Sequence, residues 1–383
     1  MTKPNTLCMA PWTHTYLSPQ TERRMCCASR EPAQNFEQYI DTSRGTGRYI
    51  PITLEQHWNS DHMKSVRRRM MAGEILPECK VCNDKLLNTS VYRDYFTHLF
   101  AHKLDEIFST TTPDGRTSLQ PISWDYRFSN LCNFKCRMCG DMLSSSCETE
   151  QRTHDMVDYS NPKNNWMQPN IRHAIQSFQD AQVEAEFAAA VESHRVEEVY
   201  WVGGEPLMYE QHWRYMQRIV ELGDGPKLYA RYNTNLSRIN YNGCSLVLDI
   251  LPNIRDWQIC ASLDGTSVVG EYIRTGLNYE PWVRNFKEVR TIVRHRRQLR
   301  IDFTLTLPGL FEILAIEELA AECDVDILAK IMFTFSADAI FSPLSLPRPL
   351  LTKVVNNILP RVRTQSMRDM LNNLLYQQVL QEQ

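Results

Sequence analysis

The sequence has little of what marks a membrane or secreted protein. Its first residues, Met1–Leu7, are polar and contain no apolar signal-peptide core. The most apolar stretch near the C-terminus, Ile327–Pro347, is interrupted by Lys330 and Asp338, which makes it too polar to span a bilayer. We therefore expect a cytoplasmic protein with no membrane partner.

The sequence also lacks a strong charge of either sign and the motifs of several common enzyme classes. Its 42 Lys and Arg residues nearly balance its 45 Asp and Glu residues, for a formal net charge of −3. Because so small an imbalance creates no strong electrostatic field, it carries no strong signal for a nucleic-acid partner. The sequence contains no phosphate-binding loop, no zinc-protease helix and no internal repeat. Its chemistry must therefore come from other residues.

Cysteine is the residue type that stands out, with twelve copies. Disulfides are not expected, because cytosolic thiols are kept reduced. Seven cysteines form three tight groups, which are Cys26-Cys27, Cys79-x2-Cys82 and Cys132-x3-Cys136-x2-Cys139, and Cys8 precedes the first group. Such spacing indicates metal or iron–sulfur ligation. The four scattered cysteines are interpreted as core residues or incidental thiols: Cys147, Cys244, Cys260 and Cys323.

Strand-like and helix-like segments alternate after Pro121. The six strand-like segments are Ile122–Phe128, Glu198–Val202, Lys227–Tyr232, Asp256–Ser262, Arg300–Leu305 and Asp326–Phe333. Strands separated by helices predict a parallel sheet built from βαβ units, and six strands are too few for a closed eight-stranded barrel. We therefore predict an α/β fold in which residues 118–340 form a partial (β/α)6 TIM-like barrel, with a polar insertion at about residues 141–170.

The segments on either side of the predicted barrel have a different composition. Residues 1–110 contain five of the cysteines and show little regular sheet. One long helix is predicted there, over Leu54–Met71, with Gly73 at its C-terminal end. We predict that this segment forms a small Cys-rich domain ahead of the barrel, and that residues 341–383 form a C-terminal helical extension.

Cys132, Cys136 and Cys139 directly follow the first predicted strand. In a parallel α/β fold, ligands bind at the carboxyl ends of the strands, so this loop lies at the functional face. Three thiolates within eight residues can bind three irons of a cubane and leave the fourth iron without a protein ligand. A zinc knuckle with a distant fourth ligand uses the same residue types. The spacing of the three cysteines does not separate these two alternatives.

Together with segments downstream, this cysteine triplet resembles the radical S-adenosylmethionine (SAM) enzymes. Gly203-Gly204-Glu205-Pro206 ends the second predicted strand and is similar to the GGEP motif of that family. The resemblance implies that the three cysteines hold a [4Fe-4S] cluster. It also implies that the GGEP segment contacts the amine of the SAM methionine moiety, since glycines allow close backbone approach and a carboxylate suits an ammonium group.

Two later segments extend the resemblance. Tyr232-Asn233-Thr234-Asn235 ends the third predicted strand, as the family's NTN-like segment does, which implies a SAM contact for Asn235. Ser262-Leu263-Asp264-Gly265 ends the fourth strand and is followed by Arg274, which resembles the SLDG…R pattern of the subgroup that modifies peptides and proteins. The resemblance implies that Ser262 and Arg274 contact the SAM ribose or carboxylate. Asp264 is either a SAM contact or the cap of the following turn. The backbone of Met138 is implied to contact adenine.

The resemblance also implies a mechanism. SAM would chelate the open iron through its amine and carboxylate, and an electron donor such as flavodoxin or ferredoxin would reduce the cluster. Reduction cleaves the sulfonium C–S bond and leaves methionine and a 5′-deoxyadenosyl radical, which abstracts hydrogen from a substrate. The expected substrate is a peptide or protein side chain, and the enzymatic alternative is an RNA or a small molecule.

The N-terminal cysteines lie in a segment that resembles a SPASM/twitch-like auxiliary-cluster module. The resemblance implies that four thiolates hold a second, auxiliary iron–sulfur cluster, and these come from Cys8, one of Cys26 and Cys27, Cys79 and Cys82. The adjacent Cys26 and Cys27 are not expected to bind one iron together, because their side chains diverge. Of the two, Cys26 is favoured slightly. Four thiolates also suit a structural zinc ion. If both groups of cysteines bound zinc, the chain would be a zinc-stabilised binding protein and not an enzyme.

Overall fold

The computed structural model describes residues 6–29, 49–85, 92–332 and 341–380. Its strands are β1 (His14–Leu17), β2 (Arg23–Arg24), β3 (Ser123–Tyr126), β4 (Lys135–Cys136), β5 (Glu198–Trp201), β6 (Tyr229–Thr234), β7 (Asn240–Tyr241), β8 (Cys244–Ser245), β9 (Asp256–Ser262), β10 (Arg274–Thr275), β11 (Leu299–Leu305) and β12 (Asp326–Ile331). Its α-helices are α1 (Ala10–Thr13), α2 (Leu54–Trp58), α3 (Asp61–Met71), α4 (Lys80–Lys85), α5 (Tyr92–Leu99), α6 (Leu104–Thr110), α7 (Ser145–Thr153), α8 (Pro169–Phe178), α9 (Glu184–Glu192), α10 (Glu210–Glu221), α11 (Ser267–Ile273), α12 (Tyr279–Arg290), α13 (Ile313–Glu322), α14 (Arg348–Ile358) and α15 (Gln365–Tyr376).

Eight of these strands form the main sheet, which is mostly parallel. They include all six strands predicted from the sequence, and β9 coincides with its predicted bounds. The predicted α/β fold class is therefore confirmed, and the sheet is consistent with a partial TIM-like barrel. The two additional strands, β1 and β2, come from the N-terminal segment, for which the sequence pattern predicted little regular sheet.

The chain folds as two compact units. The first unit comprises residues 1–129, 155–203 and 218–229, and the second comprises residues 130–154, 204–217 and 230–383. The domain boundaries predicted from the sequence remain a proposal.

Four strands of the first unit bring a row of polar side chains together. Their order is β5-β3-β1-β2, with β1 parallel to β3 and β3 parallel to β5. The first residues of three strands, His14, Ser123 and Glu198, therefore lie side by side. His14 Nδ1 lies 2.6 Å from Ser123 Oγ, which donates a hydrogen bond to the Glu198 carboxylate. Tyr95 Oη donates to the same carboxylate over 2.9 Å, so the row satisfies polar groups that would be costly to bury alone.

The helix predicted over Leu54–Met71 is two helices, α2 and α3, which are separated at Asn59 and Ser60. Ser60 Oγ accepts a hydrogen bond from the backbone N–H of Met63 over 3.2 Å and so caps the start of α3. A serine side chain stabilises a helix start better than a helix interior, because it competes with the helix for backbone groups. Gly73 follows α3 with a φ of 79°, in agreement with the predicted helix end.

An apolar core in the first unit surrounds several of the N-terminal cysteines. Met63, Val66 and Met70 form the buried apolar stripe of α3. This stripe packs with buried side chains from residues 7–12 and from α5. Three cysteines belong to the same core: Cys8, Cys26 and Cys79.

The second unit contains the strands β12, β11, β9 and β6, which lie side by side in that order. β11 runs parallel to both β9 and β12. Its alternate residues Ile301, Phe303 and Leu305 are fully buried, so these side chains point to one apolar face of the sheet. The opposite face is polar: Asp302 points to that side and pairs with Lys330 over 2.8 Å.

The C-terminal helices are attached to the second unit by a buried glutamate. Glu317 of α13 accepts hydrogen bonds from the Thr364 backbone N–H over 2.8 Å and from the Thr364 hydroxyl over 2.6 Å. Because Thr364 is the residue before α15, these bonds fix the start of that helix. No helix among the described residues is both long and apolar enough to cross a membrane.

Candidate functional site

The three cysteines of the triplet lie in a loop that we call the cysteine loop, residues 130–144. Within it, β4 pairs with β10, and this pairing places Arg274 opposite Cys136. The backbone N–H of Cys139 donates to the Cys136 carbonyl over 2.9 Å, so the last two cysteines share a tight turn. All three cysteines and β10 belong to the second unit.

A run of serines at the start of α7 holds the cysteine loop in place. Ser144 caps α7 by accepting from the Cys147 N–H over 3.2 Å, and its hydroxyl donates to the Phe134 carbonyl over 2.7 Å. Ser146 Oγ donates to the Cys132 carbonyl over 2.7 Å. Sequence reasoning interpreted these serines only as part of a polar insertion. Their position just after a cysteine triplet and at a helix start is the signal that could have identified them.

The three thiols have different environments. A hydrogen bond between Cys136 and Cys139 raises the pKa of the Cys136 thiol and lowers that of Cys139. Burial raises the pKa of Cys132 to about 12. The positive charge of Arg274 lowers the pKa of all three thiols, because it favours their thiolate forms.

Arg274 is a buried cation at the centre of this arrangement. Its Nε lies 2.7 Å from Asp264 Oδ2, and its Nη1 lies 3.8 Å from Cys136 Sγ. Burial by itself lowers the pKa of Arg274, but the Asp264 carboxylate and the Cys136 thiol raise it above its ordinary value. Asp264 also accepts a hydrogen bond from the Thr304 backbone N–H over 2.7 Å. The contacts of Asp264 therefore orient Arg274.

The GGEP segment packs directly against the cysteine loop. A Cβ on Gly204 would lie 2.2 Å from the Leu131 carbonyl oxygen and 2.7 Å from the Asn130 carbonyl, so only glycine fits there. The backbone N–H of Glu205 donates to the same Leu131 carbonyl over 2.7 Å. Gly203 has a φ of 131°, a conformation that side chains disfavour. Gly204 is thus in close contact with the backbone just before Cys132.

Glu205 uses both carboxylate oxygens within the protein. Oε1 accepts from the Thr234 hydroxyl over 2.6 Å and from the Leu207 N–H over 3.0 Å, and Oε2 accepts from the Asn235 N–H over 2.5 Å. Burial raises the pKa of Glu205 to about 7, although these hydrogen bonds oppose the rise. Pro206 follows as the buried first residue of a short turn. Glu205 therefore joins the GGEP turn to the end of β6.

Asn235 lies beside the first cysteine of the triplet. Its Nδ2 donates to Asn133 Oδ1 over 2.9 Å and lies 4.0 Å from Cys132 Sγ. Ser262 is half-buried at the end of β9, and Met138 is half-buried between Cys136 and Cys139. The structure thus gathers Asn235, Asp264, Arg274 and the GGEP turn around the cysteine loop.

The donor set of this loop fits an iron–sulfur cluster. Three thiolates can bind three irons of a cubane, one each. Among the described residues, no group of three His, Cys, Asp or Glu side chains is placed to hold a metal ion. The buried guanidinium of Arg274 beside Cys136 also suits the negative charge of such a cluster.

The N-terminal cysteines lie together in the first unit. Cys8, Cys26, Cys79 and Cys82 are buried, and Cys27 is half-buried. Burial, with smaller contributions from the neighbouring thiols of Cys79 and Cys82, raises the pKa of Cys8 to about 12. Burial also raises the pKa of Cys26, with smaller contributions in the same direction from Cys27, Cys8 and Cys79. The Cys26 thiol therefore lies near the thiols of Cys8 and Cys79.

Comparison with protein families gives one match for this chain. The family model of the radical SAM superfamily matches residues 126–317, which are 192 of the 383 residues. The matched segment includes the cysteine loop, the GGEP turn, Asn235, Asp264 and Arg274. A search of curated proteins gave no match.

Solved structures of three complexes show a limited similarity. SuiB from Streptococcus suis bound to S-adenosylmethionine is 18% identical with a TM-score of 0.39, and the match covers 74% of this chain and 57% of SuiB. SuiB bound to precursor peptide SuiA is 17% identical with a TM-score of 0.38, covering 79% and 60% of the two chains. The enzyme anSMEcpe with bound AdoMet and a Cp18Cys peptide is 16% identical with a TM-score of 0.32, covering 43% and 46%. The chain spans less than two thirds of the length of SuiB.

Proposed function

This chain belongs to the radical SAM superfamily, as its motifs predicted, and on that premise we propose that it is an enzyme that cleaves SAM reductively to modify a peptide or protein side chain. The [4Fe-4S] cluster would be held by Cys132, Cys136 and Cys139. When bound, the cluster and SAM supply a 5′-deoxyadenosyl radical that abstracts hydrogen from the substrate.

The observation that carries this proposal is the convergence of three segments on the cysteine loop. The loop is joined to the GGEP turn through the Leu131 carbonyl and to β10 through the pairing of Cys136 with Arg274. Asn235, at the end of β6, meets the loop at Asn133. The strand ends that carry the motifs are thus held around the three thiols, where a cluster and its ligand would bind.

Each residue of the site has a proposed role. Arg274 balances the negative charge of the thiolates, and Asp264 keeps its guanidinium in position. Backbone groups of Gly203–Pro206 contact the amine of SAM, while Glu205 keeps that turn closed. Ser262 and Arg274 contact the ribose or carboxylate of SAM, Asn235 is a further SAM contact, and the backbone of Met138 contacts adenine.

The proposed substrate class and the auxiliary cluster rest on sequence resemblance. The Ser262–Gly265 segment followed by Arg274 resembles the peptide- and protein-modifying subgroup. The second iron–sulfur cluster would be bound by Cys8, Cys26, Cys79 and Cys82. A low-potential donor such as flavodoxin or ferredoxin would supply the electron.

Anaerobic reconstitution with iron and sulfide tests this function. The wild-type protein is expected to be brown and to convert SAM to 5′-deoxyadenosine in the presence of dithionite. The variant Cys132→Ala/Cys136→Ala/Cys139→Ala should lose about one cubane of iron and all SAM cleavage. Cys147→Ala is the matched control, because Cys147 is a half-buried thiol of α7 beside the loop with no proposed ligand role.

Two results would contradict the proposal. Production of 5′-deoxyadenosine by the triple variant above a no-enzyme control would show that these cysteines do not hold the cluster that cleaves SAM. Zinc without iron in the anaerobically purified wild type would instead favour the zinc-stabilised binding protein.

A further inference from the structure

Arg93 is a buried cation of the first unit that forms no ion pair within the part of the chain that the structure describes. It is the second residue of α5 and only 3% exposed. Its Nη2 donates to the side-chain carbonyl of Asn83 over 2.7 Å. Its Nε and Nη1 are buried, and neither has a hydrogen-bond partner among the described residues.

The side chain of Arg93 lies beside the N-terminal thiols. Its charge lowers the pKa of the Cys79 and Cys8 thiols, although burial raises both pKa values above the ordinary value. Asn83, which accepts from Arg93, follows Cys82 directly in α4. Cys79 is the residue directly before α4, so Asn83 and these two cysteines belong to one short stretch of the chain.

An unpaired charge in this environment is unfavourable. Burial of a guanidinium without an anion carries a large desolvation penalty, and the neutral amide of Asn83 offsets only part of it. A negative charge beside Arg93 would offset the rest of this penalty. Four thiolates around a cluster core of charge 2+ would supply it, since such a centre carries a net charge of 2−.

We propose that Arg93 is the internal counter-charge of the iron–sulfur centre bound by Cys8, Cys26, Cys79 and Cys82, to which it donates hydrogen bonds from Nε and Nη1. This inference rests on the proposed function, which supplies the auxiliary cluster. Arg93 is a positioning residue: it retains the centre and raises its reduction potential, because a nearby cation stabilises the more negative reduced form.

The inference predicts effects of opposite sign in the two states of the protein. In the metal-free protein, Arg93→Met removes a buried unpaired charge and should raise the thermal midpoint of unfolding. In the loaded protein, the same substitution removes the counter-charge, so the cluster should be released more easily and be harder to reduce. A purely structural arginine would change both states in the same direction.

The test uses the full chain with Cys132→Ala, Cys136→Ala and Cys139→Ala, so that the auxiliary cluster is the only one present. Iron release to a chelator and the midpoint potential from an EPR-monitored dithionite titration are measured with and without Arg93→Met. We expect iron release to be about tenfold faster and the potential to be more negative. Arg93→Lys keeps the positive charge, so its rate of iron release and its midpoint potential should be close to those of the protein with Arg93 intact. Arg68→Met, which removes an exposed cation of α3, is the control and should change neither.

The outcomes separate this inference from the proposed function. If the background protein with Arg93 intact binds no iron, the auxiliary cluster and the role of Arg93 both fail. If iron is bound but Arg93→Met leaves release and potential unchanged, the role of Arg93 alone is wrong. Misfolding of metal-free Arg93→Met would also overturn the inference, because the inference predicts a gain in stability.

Discussion

Glu205 connects two of the strand ends that carry the site. Family resemblance assigns the GGEP carboxylate to the SAM amine, but its oxygens already accept hydrogen bonds from Thr234, Leu207 and Asn235. Each partner belongs to the turn itself or to the end of β6. At residue scale, Glu205 therefore holds two strand ends together, and the backbone around it is left to meet a ligand.

The buried Glu205 carboxyl should make stability depend on pH. Burial raises its folded-state pKa from 4.5 to about 7, so between these values the folded protein holds a proton that the unfolded chain releases. The free energy of unfolding should therefore fall by about 3 kcal/mol as pH rises through this window. Urea unfolding of the metal-free protein at pH 5 and pH 8 measures this change, and Glu205→Gln should lack it. An equal pH dependence in wild type and Glu205→Gln would contradict the prediction, while exposed Glu210→Gln serves as control.

Gly204 of the GGEP segment is in close contact with the cysteine loop. Because its missing Cβ leaves room for the Leu131 carbonyl, Gly204→Ala should displace the cysteine loop. We expect lower iron content as well as weaker SAM binding, measured by iron analysis and by equilibrium binding of SAM. Gly140→Ala is the matched control, since a Cβ at Gly140 meets nothing within 4 Å. Normal iron in Gly204→Ala would show that the loop tolerates the clash.

The cysteine loop depends on the start of α7 at the scale of elements. Ser144 both caps this helix and bonds to the Phe134 carbonyl inside the loop. Ser144→Ala should cost about 1 kcal/mol of stability through the lost cap and should accelerate iron release to a chelator. Ser160→Ala, at an exposed serine whose bonds are to Asp158, should change neither property. Equal rates of iron release in Ser144→Ala and wild type would contradict the role of α7 in holding the cysteine loop.

The elements that sequence patterns predicted well are those with long, regular patterns. The strand β9 was predicted to the residue because its apolar run is bounded by clear turns. The strands β1 and β2 were missed because four residues and two residues are too few to show a period. All four residues of β1 are buried, so the polar–apolar alternation of a half-buried strand is absent there.

At the scale of the whole molecule, contacts between distant segments limit how much of the site can be predicted from the sequence. The cysteines and motifs could be found because their spacing is local. The partners of Asp264 could not, because Arg274 and Thr304 are reached only when β9, β10 and β11 come together. Arg93 carries no motif at all, and only burial without an anion marks it.

Two metal centres in one chain should be separable by mutation. If the N-terminal thiols bind a second cubane, Cys79→Ala/Cys82→Ala should lose about half of the iron. It should retain some cleavage of SAM, while modification of the substrate falls much further. Cys147→Ala/Cys244→Ala removes two cysteines with no proposed ligand role and should keep all of the iron. Loss of zinc with unchanged iron from the first variant would make the N-terminal site a structural zinc site.

The central claim is that the cluster on Cys132, Cys136 and Cys139 keeps one iron open for SAM. The most direct test is the EPR spectrum of the dithionite-reduced Cys79→Ala/Cys82→Ala variant, in which this cluster is the only one, recorded with and without SAM. The account predicts that SAM changes the spectrum, because its amine and carboxylate bind the open iron. An iron–sulfur signal that SAM leaves unchanged would contradict the claim.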